Sequence, residues 1–297
     1  MGFMNKIFGS RLSEGYDYDE CFDSERERLK IQSNILRNFD MPVLSDILSN
    51  RVNVSVLDIG CNEGDNAMDR LSGFNITTYV GIDRSEVAIK EANRKYGDDM
   101  THFYKLDITS PKFSIDLCSI LQRLKIDTVD VITISMVLLH LEEPEDVLRA
   151  LYPFLSRGGV IFVRDIDDRD NNASPDTNKI FDRGYEIPDR CPTSGNRHVG
   201  RNIGGWLNSA GYSNVRCVRR GLSTVGMTDS EKLALYDTYF GFFALDAIEN
   251  VNRTEGSEQS LADLGWCTYY LPKIKELFLT KGFTFTLGFI TYIATKE

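Results

Sequence analysis

Five short apolar runs, separated by segments of helical spacing, fill residues 54 to 166 and constrain the fold more than any other feature of this chain. The runs are Val54–Ile59, Thr77–Asp83, Thr101–Asp107, Val129–Ile134 and Val160–Ile166. Between them lie helical patterns from Asp65 to Leu71, from a Ser85 cap to Tyr96, from Ser114 to Leu124, and from the acids at 142–146 to the glycines at 158 and 159. Such alternation predicts parallel strands joined by crossover helices in a doubly wound sheet. Two further strands are expected later, Ser213–Arg219 and Phe283–Thr295.

In a sheet of this kind ligands bind beyond the carboxyl ends of the strands. The first such end reads Leu57-Asp58-Ile59-Gly60-Cys61-Asn62-Glu63-Gly64-Asp65, a strand, a tight glycine turn and a helix start. Glycine lets a ligand approach the backbone, and a helix start offers N–H groups with partial positive charge. The spacing Asp-x-Gly-x-x-x-Gly is a poor pyrophosphate cradle, because Asn62 stands where a middle glycine is wanted and Asp58 and Asp65 would repel phosphate. These acids predict a cationic ligand. The second run ends in Asp83, at the separation expected for a carboxylate that bonds ribose hydroxyls.

A nucleoside that carries positive charge and no phosphate is S-adenosylmethionine, and the segments ending in Gly64 and Asp83 resemble motifs I and II of the class I S-adenosylmethionine-dependent methyltransferases, small-molecule type. Ile134-Ser135-Met136-Val137-Leu138-Leu139-His140-Leu141 is similar to the segment after strand four in that family. The resemblance covers about residues 54 to 220 and the last strand. It implies a Rossmann-like seven-stranded sheet whose last strand is antiparallel, between strands five and six. It also implies that Asp58, Gly60 and Gly64 hold the methionine part of the cofactor, Asp83 the ribose, and Asp107 with the Ile108 N–H the adenine. Cys61, Asn62, Arg84 and Ser135 complete the expected set, and S-adenosylhomocysteine is the expected product. As an alternative for Asp107, an aspartate here also suits a turn or helix cap.

For the acceptor side, His140 and His198 have side chains suited to proton transfer near neutral pH, and Tyr16 or Tyr18 of the segment Gly15-Tyr16-Asp17-Tyr18-Asp19 would close over the site. The apolar neighbours of His140 equally suit a structural imidazole. Residues 167–200 read as a long polar loop, then Gly195–Arg201 and Gly205–Tyr212 resemble the Gly-Arg helix of many small-molecule methyltransferases. Arg197 or Arg201 has the planar fork that suits a substrate carboxylate, and each has acids nearby with which to pair instead.

Three regions follow: an N-terminal helical lid (1–50), the cofactor-binding core (51–220 and 283–297) and a helical insertion (221–282). In the first, helical spacing runs from Glu25 to Phe39, and Pro42 is expected to begin a second helix from Val43 to Leu48. The insertion should hold two helices, Asp229–Val251 and Leu261–Lys281, and it is the main departure from the family pattern. Its aromatic stripe, with Tyr236 and Tyr239, suits a substrate lining by stacking or cation–π contact, a homodimer interface, or plain packing.

Composition sets the outer limits. A formal charge of -10 argues against a nucleic-acid footprint, no apolar run approaches the ~20 residues of a membrane span, and residues 1–6 lack a signal-peptide core. A cytoplasmic enzyme is expected. The six cysteines lie far apart, predicting free thiols and no metal site. The leading expectation is N- or O-methylation of a small molecule; the alternative is a non-catalytic cofactor-binding or scaffold protein of the same fold.

Overall fold

The computed structural model describes residues 22–191 and 194–297, so Tyr16 and Tyr18 lie outside the described residues. In chain order the elements begin with α1 (Phe22–Leu48), β1 (Val54–Ile59), α2 (Asp65–Leu71), β2 (Ile76–Asp83) and α3 (Glu86–Tyr96). Next come β3 (Thr101–Lys105), α4 (Phe113–Arg123), β4 (Val129–Ser135), α5 (Pro144–Leu151) and β5 (Leu155–Ile166). The remainder is β6 (Asn172–Ser174), α6 (Ile180–Asp189), α7 (Ile203–Ser209), β7 (Ser213–Ser223), α8 (Asp229–Phe240), α9 (Phe243–Arg253), α10 (Glu258–Phe278) and β8 (Thr284–Thr295).

The sheet has eight strands in the order β3-β2-β1-β4-β5-β8-β6, with β7 also paired to β8. Strands β1 to β5 are mutually parallel, and β8 runs antiparallel to β5 from the pair Ile166/Phe289 to Val160/Thr295. The doubly wound sheet with its antiparallel last strand is therefore present. It gains one short strand, β6, that the sequence reading placed in a loop.

Two compact units divide the chain. The sheet unit comprises Arg37–Asp167, His198–Arg220 and Phe289–Glu297. One face of its sheet is covered by the second half of α1 and by α2 and α3, through a core that includes Val43, Leu44, Ile47, Leu48, Val56, Tyr79, Phe103 and Phe162. The helical unit comprises the chain up to Leu36, Asp168–Arg197 and Gly221–Gly288. This division differs from the three regions expected. Residues 37–48 belong with the sheet, and of the expected loop 167–200 the part 168–197 belongs with the insertion and carries α6.

Local departures have local causes. Helix α1 continues through Pro42 although an interior proline costs about 3 kcal/mol. Past the proline Val43, Leu44, Ile47 and Leu48 are buried, and before it Asp40 sits 3.0 Å from Arg70 Nε and 2.8 Å from Arg164 Nε. Both flanks are thus anchored. Helix α5 stops at Leu151 rather than near Arg157, because the Tyr152-Pro153-Phe154 turn ends it and β5 starts at Leu155. The insertion breaks at Gly241 into α8 and α9, so it holds three helices, not two. A Thr228/Glu231 capping box starts α8.

Candidate active site

The turn after β1 is fastened to β2, since the N–H groups of Gly60 and Cys61 both donate to the Ile82 carbonyl at 2.9 and 3.1 Å. Gly60 and Gly64 have φ of +72° and +79°, a backbone that disfavours any side chain. A Cβ on Gly60 would collide with Val137 at the tip of β4, and one on Gly64 would lie 2.7 Å from the Phe103 ring of β3. Packing against Val137 and Phe103 is thus one reason for glycine at both positions. Cys61 is buried, and Asn62 takes φ +50° with its Oδ1 accepting from the Glu63 N–H at 2.6 Å.

Asp83 is the fixed point of the site. Its Oδ2 accepts from the Asn62 N–H at 3.0 Å and its Oδ1 from the Ser85 N–H at 2.9 Å. Each carboxylate oxygen has two lone pairs, so a rigidly held acid keeps acceptor capacity for a pair of hydroxyls. Burial raises its pKa, while the two N–H bonds and the neighbouring exposed Arg84 oppose that rise. The residue set thus fits a ribose. One strand further out, Asp107 is exposed and spends only Oδ1 on the Thr109 N–H and hydroxyl, at 2.9 and 2.7 Å, with Ile108 between them. This is a turn aspartate with its other oxygen still available for an amino group.

The remaining acids of the turn differ from expectation. Asp58 accepts the Tyr79 hydroxyl at 2.8 Å and the Thr133 hydroxyl at 2.6 Å, tying β1 to both neighbouring strands, and burial raises its pKa. Asp65 is 2.9 Å from Lys95 Nζ and accepts the Tyr96 hydroxyl at 2.5 Å, and Lys95 also lies 2.6 Å from buried Glu63. Lys95 thus offsets one of the negative charges of Asp58, Glu63 and Asp65, so the turn is less acidic than its own residues make it. Lys95 and Tyr96 lie about thirty positions away in sequence, which is why the turn alone could not show it.

At the end of β4, Ser135 is half-buried and Met136 adopts φ +57°, with its N–H on the Arg164 carbonyl at 2.9 Å. A single turn, Leu138–His140, follows and leaves His140 exposed rather than packed among its apolar neighbours. That turn rests on Asp165 of β5, a fully buried carboxylate accepting from the N–H groups of Ile166 at 2.9 Å and Leu139 at 3.3 Å. Burial pushes its pKa up to about 6. Sequence reasoning missed Asp165. The available signal was the pair Arg164-Asp165 inside an otherwise apolar strand, a place where charges occur only with partners.

Just beyond β5, in the same unit, Asp167 is 1% exposed and binds Arg201, while His198 Nδ1 stands 3.6 Å from its Oδ1. The segment Val199–Asn202 that carries Arg201 packs against β5 and against the Leu138–His140 turn. Arg201 is thus paired with an acid, as the sequence alternative had it. So is Arg197, which belongs to the helical unit: its Nε and Nη2 lie 2.5 and 3.1 Å from Asp168, and its guanidinium stacks 5.1 and 5.0 Å from the Tyr239 and Phe242 ring centres.

Tyr236 and Tyr239 are also placed away from a lining role. Both are buried in the aromatic core of the helical unit, Tyr236 stacked on Phe240 and donating to the Leu271 carbonyl at 2.8 Å, Tyr239 accepting from Asn171 at 2.6 Å. Packing explains their spacing. The five described cysteines are free, with Cys118 and Cys217 exposed. One grouping that sequence spacing did not suggest is Cys191, Asp246 and Glu249, whose ligand atoms lie within 4.8 Å of one another in the helical unit.

Fold and site together define a nucleoside-binding enzyme of the doubly wound class. Residues 22–216 match the family described as a methyltransferase domain, and the chain belongs to that family. No curated protein matches its sequence. Among solved structures, the YcgJ protein from Bacillus subtilis is 14% identical with a TM-score of 0.52, covering 88% of this chain and 99% of that one. The plantazolicin methyltransferase BpumL, solved with S-adenosylhomocysteine, is 15% identical with a TM-score of 0.50, over 95% of this chain and 91% of that one. The [4+2]-cyclase SpnF is 18% identical, also with a TM-score of 0.50, over 86% of this chain and 79% of that one. At these identities the likeness is one of fold. The protein is an S-adenosylmethionine-dependent methyltransferase.

Proposed function

We propose that this enzyme methylates a small molecule at nitrogen or oxygen in the cytoplasm, with the cofactor laid along the carboxyl ends of β3, β2, β1 and β4. The observation that carries the reading is Asp83, a carboxylate held by two N–H groups with acceptor capacity to spare, one strand from a fixed glycine turn. In this reading Asp107 and Ile108 take the adenine, Asp83 the ribose, and the turn of Gly60, Cys61, Asn62 and Gly64, with Arg84 and Ser135 beside it, the rest. The bound cofactor supplies an electrophilic methyl on a sulfonium. The protein supplies alignment and exclusion of water, which in favourable cases is worth about 7 to 11 kcal/mol.

A small acceptor is supported by the formal charge of -10, which suits nucleic acid poorly, and by the likeness to a plantazolicin methyltransferase. Among the described residues no helix is long and apolar enough to cross a membrane. The test is thermal shift with S-adenosylmethionine and S-adenosylhomocysteine against NAD and NADP. Stabilisation by the sulfur nucleosides alone supports the reading and opens a screen of acceptors by homocysteine release. Stabilisation by NAD or NADP alone sinks it.

A further inference from the structure

We propose that Cys191, Asp246 and Glu249 form a binding site in the helical unit for a thiophilic divalent cation, Zn2+ above all. The site is independent of the methyl-transfer reading. Its first support is the donor set: one thiol sulfur and two carboxylate oxygens lie within 4.8 Å of one another. Around a cation bonded at about 2.3 Å to sulfur and about 2.0 Å to oxygen, tetrahedral neighbours stand about 3.5 Å apart. The donors therefore need to close by about 1.3 Å at most, and the half-buried Glu249 side chain has the length and torsional freedom to supply that.

The second support is how the fold delivers the donors. Asp246 and Glu249 are three positions apart on α9, so both lie on one face of that helix. Cys191 stands just past the end of α6, in a turn where its N–H donates to the Pro188 carbonyl at 3.0 Å and its carbonyl accepts from the Ser194 N–H at 3.1 Å. Helix α6 packs on α9, and α9 on α10. From the same turn Ser194 donates its hydroxyl to Asp246 Oδ2 and so orients the carboxylate, as outer partners of metal ligands do. The thiol and the two acids come from segments more than fifty positions apart, which is why cysteine spacing gave no sign of a metal site.

The third support is electrostatic. Cys191 and Asp246 are 2% and 6% exposed. Asp246 lies in the first turn of α9, which favours its ionised form, and Cys191 follows the carbonyl end of α6, whose partial negative charge favours a cation. Three groups that ionise to anions at this distance are stabilised together by a shared positive ion. A thiolate among the donors selects a borderline-soft ion over Mg2+ or Ca2+, which take oxygen ligands. On binding, the Cys191 thiol proton passes to solvent as the sulfur–metal bond forms, with no change of oxidation state. Three protein ligands leave a fourth position for water, and the ion clamps the turn after α6 to α9.

The experiment is titration of the full chain, first dialysed against a chelator, with Co2+ as the spectroscopic stand-in and Zn2+ as competitor. The expected result is a thiolate-to-cobalt charge-transfer band that saturates at one Co2+ per chain and is bleached by Zn2+, with Zn2+ but not Mg2+ raising the melting temperature. The band should vanish in Cys191→Ser and persist in Cys118→Ser, an exposed cysteine outside the site. Glu249→Gln should weaken Co2+ binding by more than about tenfold. A wild type without the thiolate band overturns the proposal, and so does a band that survives in Cys191→Ser, which marks adventitious binding by the other cysteines. Where Cys191→Ser does not fold, Glu249→Gln decides alone, since it keeps the shape of a half-buried side chain; unchanged affinity there overturns the proposal.

Discussion

The two units place the same kinds of residue to opposite ends. In the helical unit Tyr236, Tyr239 and Arg197 are buried, and each is committed to a carbonyl, an amide, an acid or a ring within the unit. In the sheet unit Asp83 and Asp107 are held just as firmly, yet by backbone N–H groups and a hydroxyl that leave acceptor sites unused. Burial and hydrogen bonding alone therefore do not mark a functional residue. Unused capacity on a group held in place is the better guide, and it is the ground on which the site is proposed at the strand ends rather than in the aromatic stripe.

This contrast can be broken by substitution. Phe240→Ala removes a ring that contacts Phe181, Tyr236, Tyr239, Phe243, Phe278 and Phe285, and should cost about 3 to 5 kcal/mol in denaturant unfolding. In variant that remains folded, affinity for S-adenosylhomocysteine should stay near that of the wild type; a parallel loss of affinity would erase the separation of roles. Asp83→Ala should do the reverse, weakening S-adenosylhomocysteine binding by about 3 kcal/mol or roughly a hundredfold in calorimetry, through two charge-assisted hydrogen bonds.

Asp165 gives the sheet unit a pH-dependent stability. Its folded pKa of about 6 exceeds the ordinary 3.8, so the folded state holds a proton that the unfolded chain has released. The contribution to stability is complete below the unfolded value and is lost as pH rises through about 6, to a total of about 3 kcal/mol. Unfolding of the wild type measured from about pH 4 to about pH 7 should show that loss, and Asp165→Asn should lack it. The smallest effect is expected for Tyr236→Phe, which gives up one hydrogen bond to the Leu271 carbonyl: about 1 kcal/mol of stability, with S-adenosylhomocysteine affinity unchanged.

Much of the sheet unit was legible because its signals are local. The runs ending at Ile59, Asp83 and Ile134 coincide with β1, β2 and β4 to within a residue, and Ser85 caps α3 as its hydroxyl predicts, accepting from the Ala88 N–H at 3.0 Å. What escaped depends on partners distant in the chain. Lys95 pairs with the acids of the glycine turn and Tyr96 donates to Asp65 from another helix, Asp40 meets Arg164 across more than a hundred positions, and Arg197 and Arg201 find Asp168 and Asp167. Spacing announced the aromatic stripe but not its destination, because a helix face turned to a core and one turned to a ligand obey the same period. Local rules also failed at Pro42, where burial on both sides outweighs the broken hydrogen bond.

The most direct measurement is a crystal structure of the protein with S-adenosylhomocysteine. The expected result is the ribose hydroxyls on the two oxygens of Asp83 and the adenine amino group at Asp107, with the sulfur toward the ends of β1 and β4. A nucleoside bound elsewhere, or bound here without contact to Asp83, would contradict it.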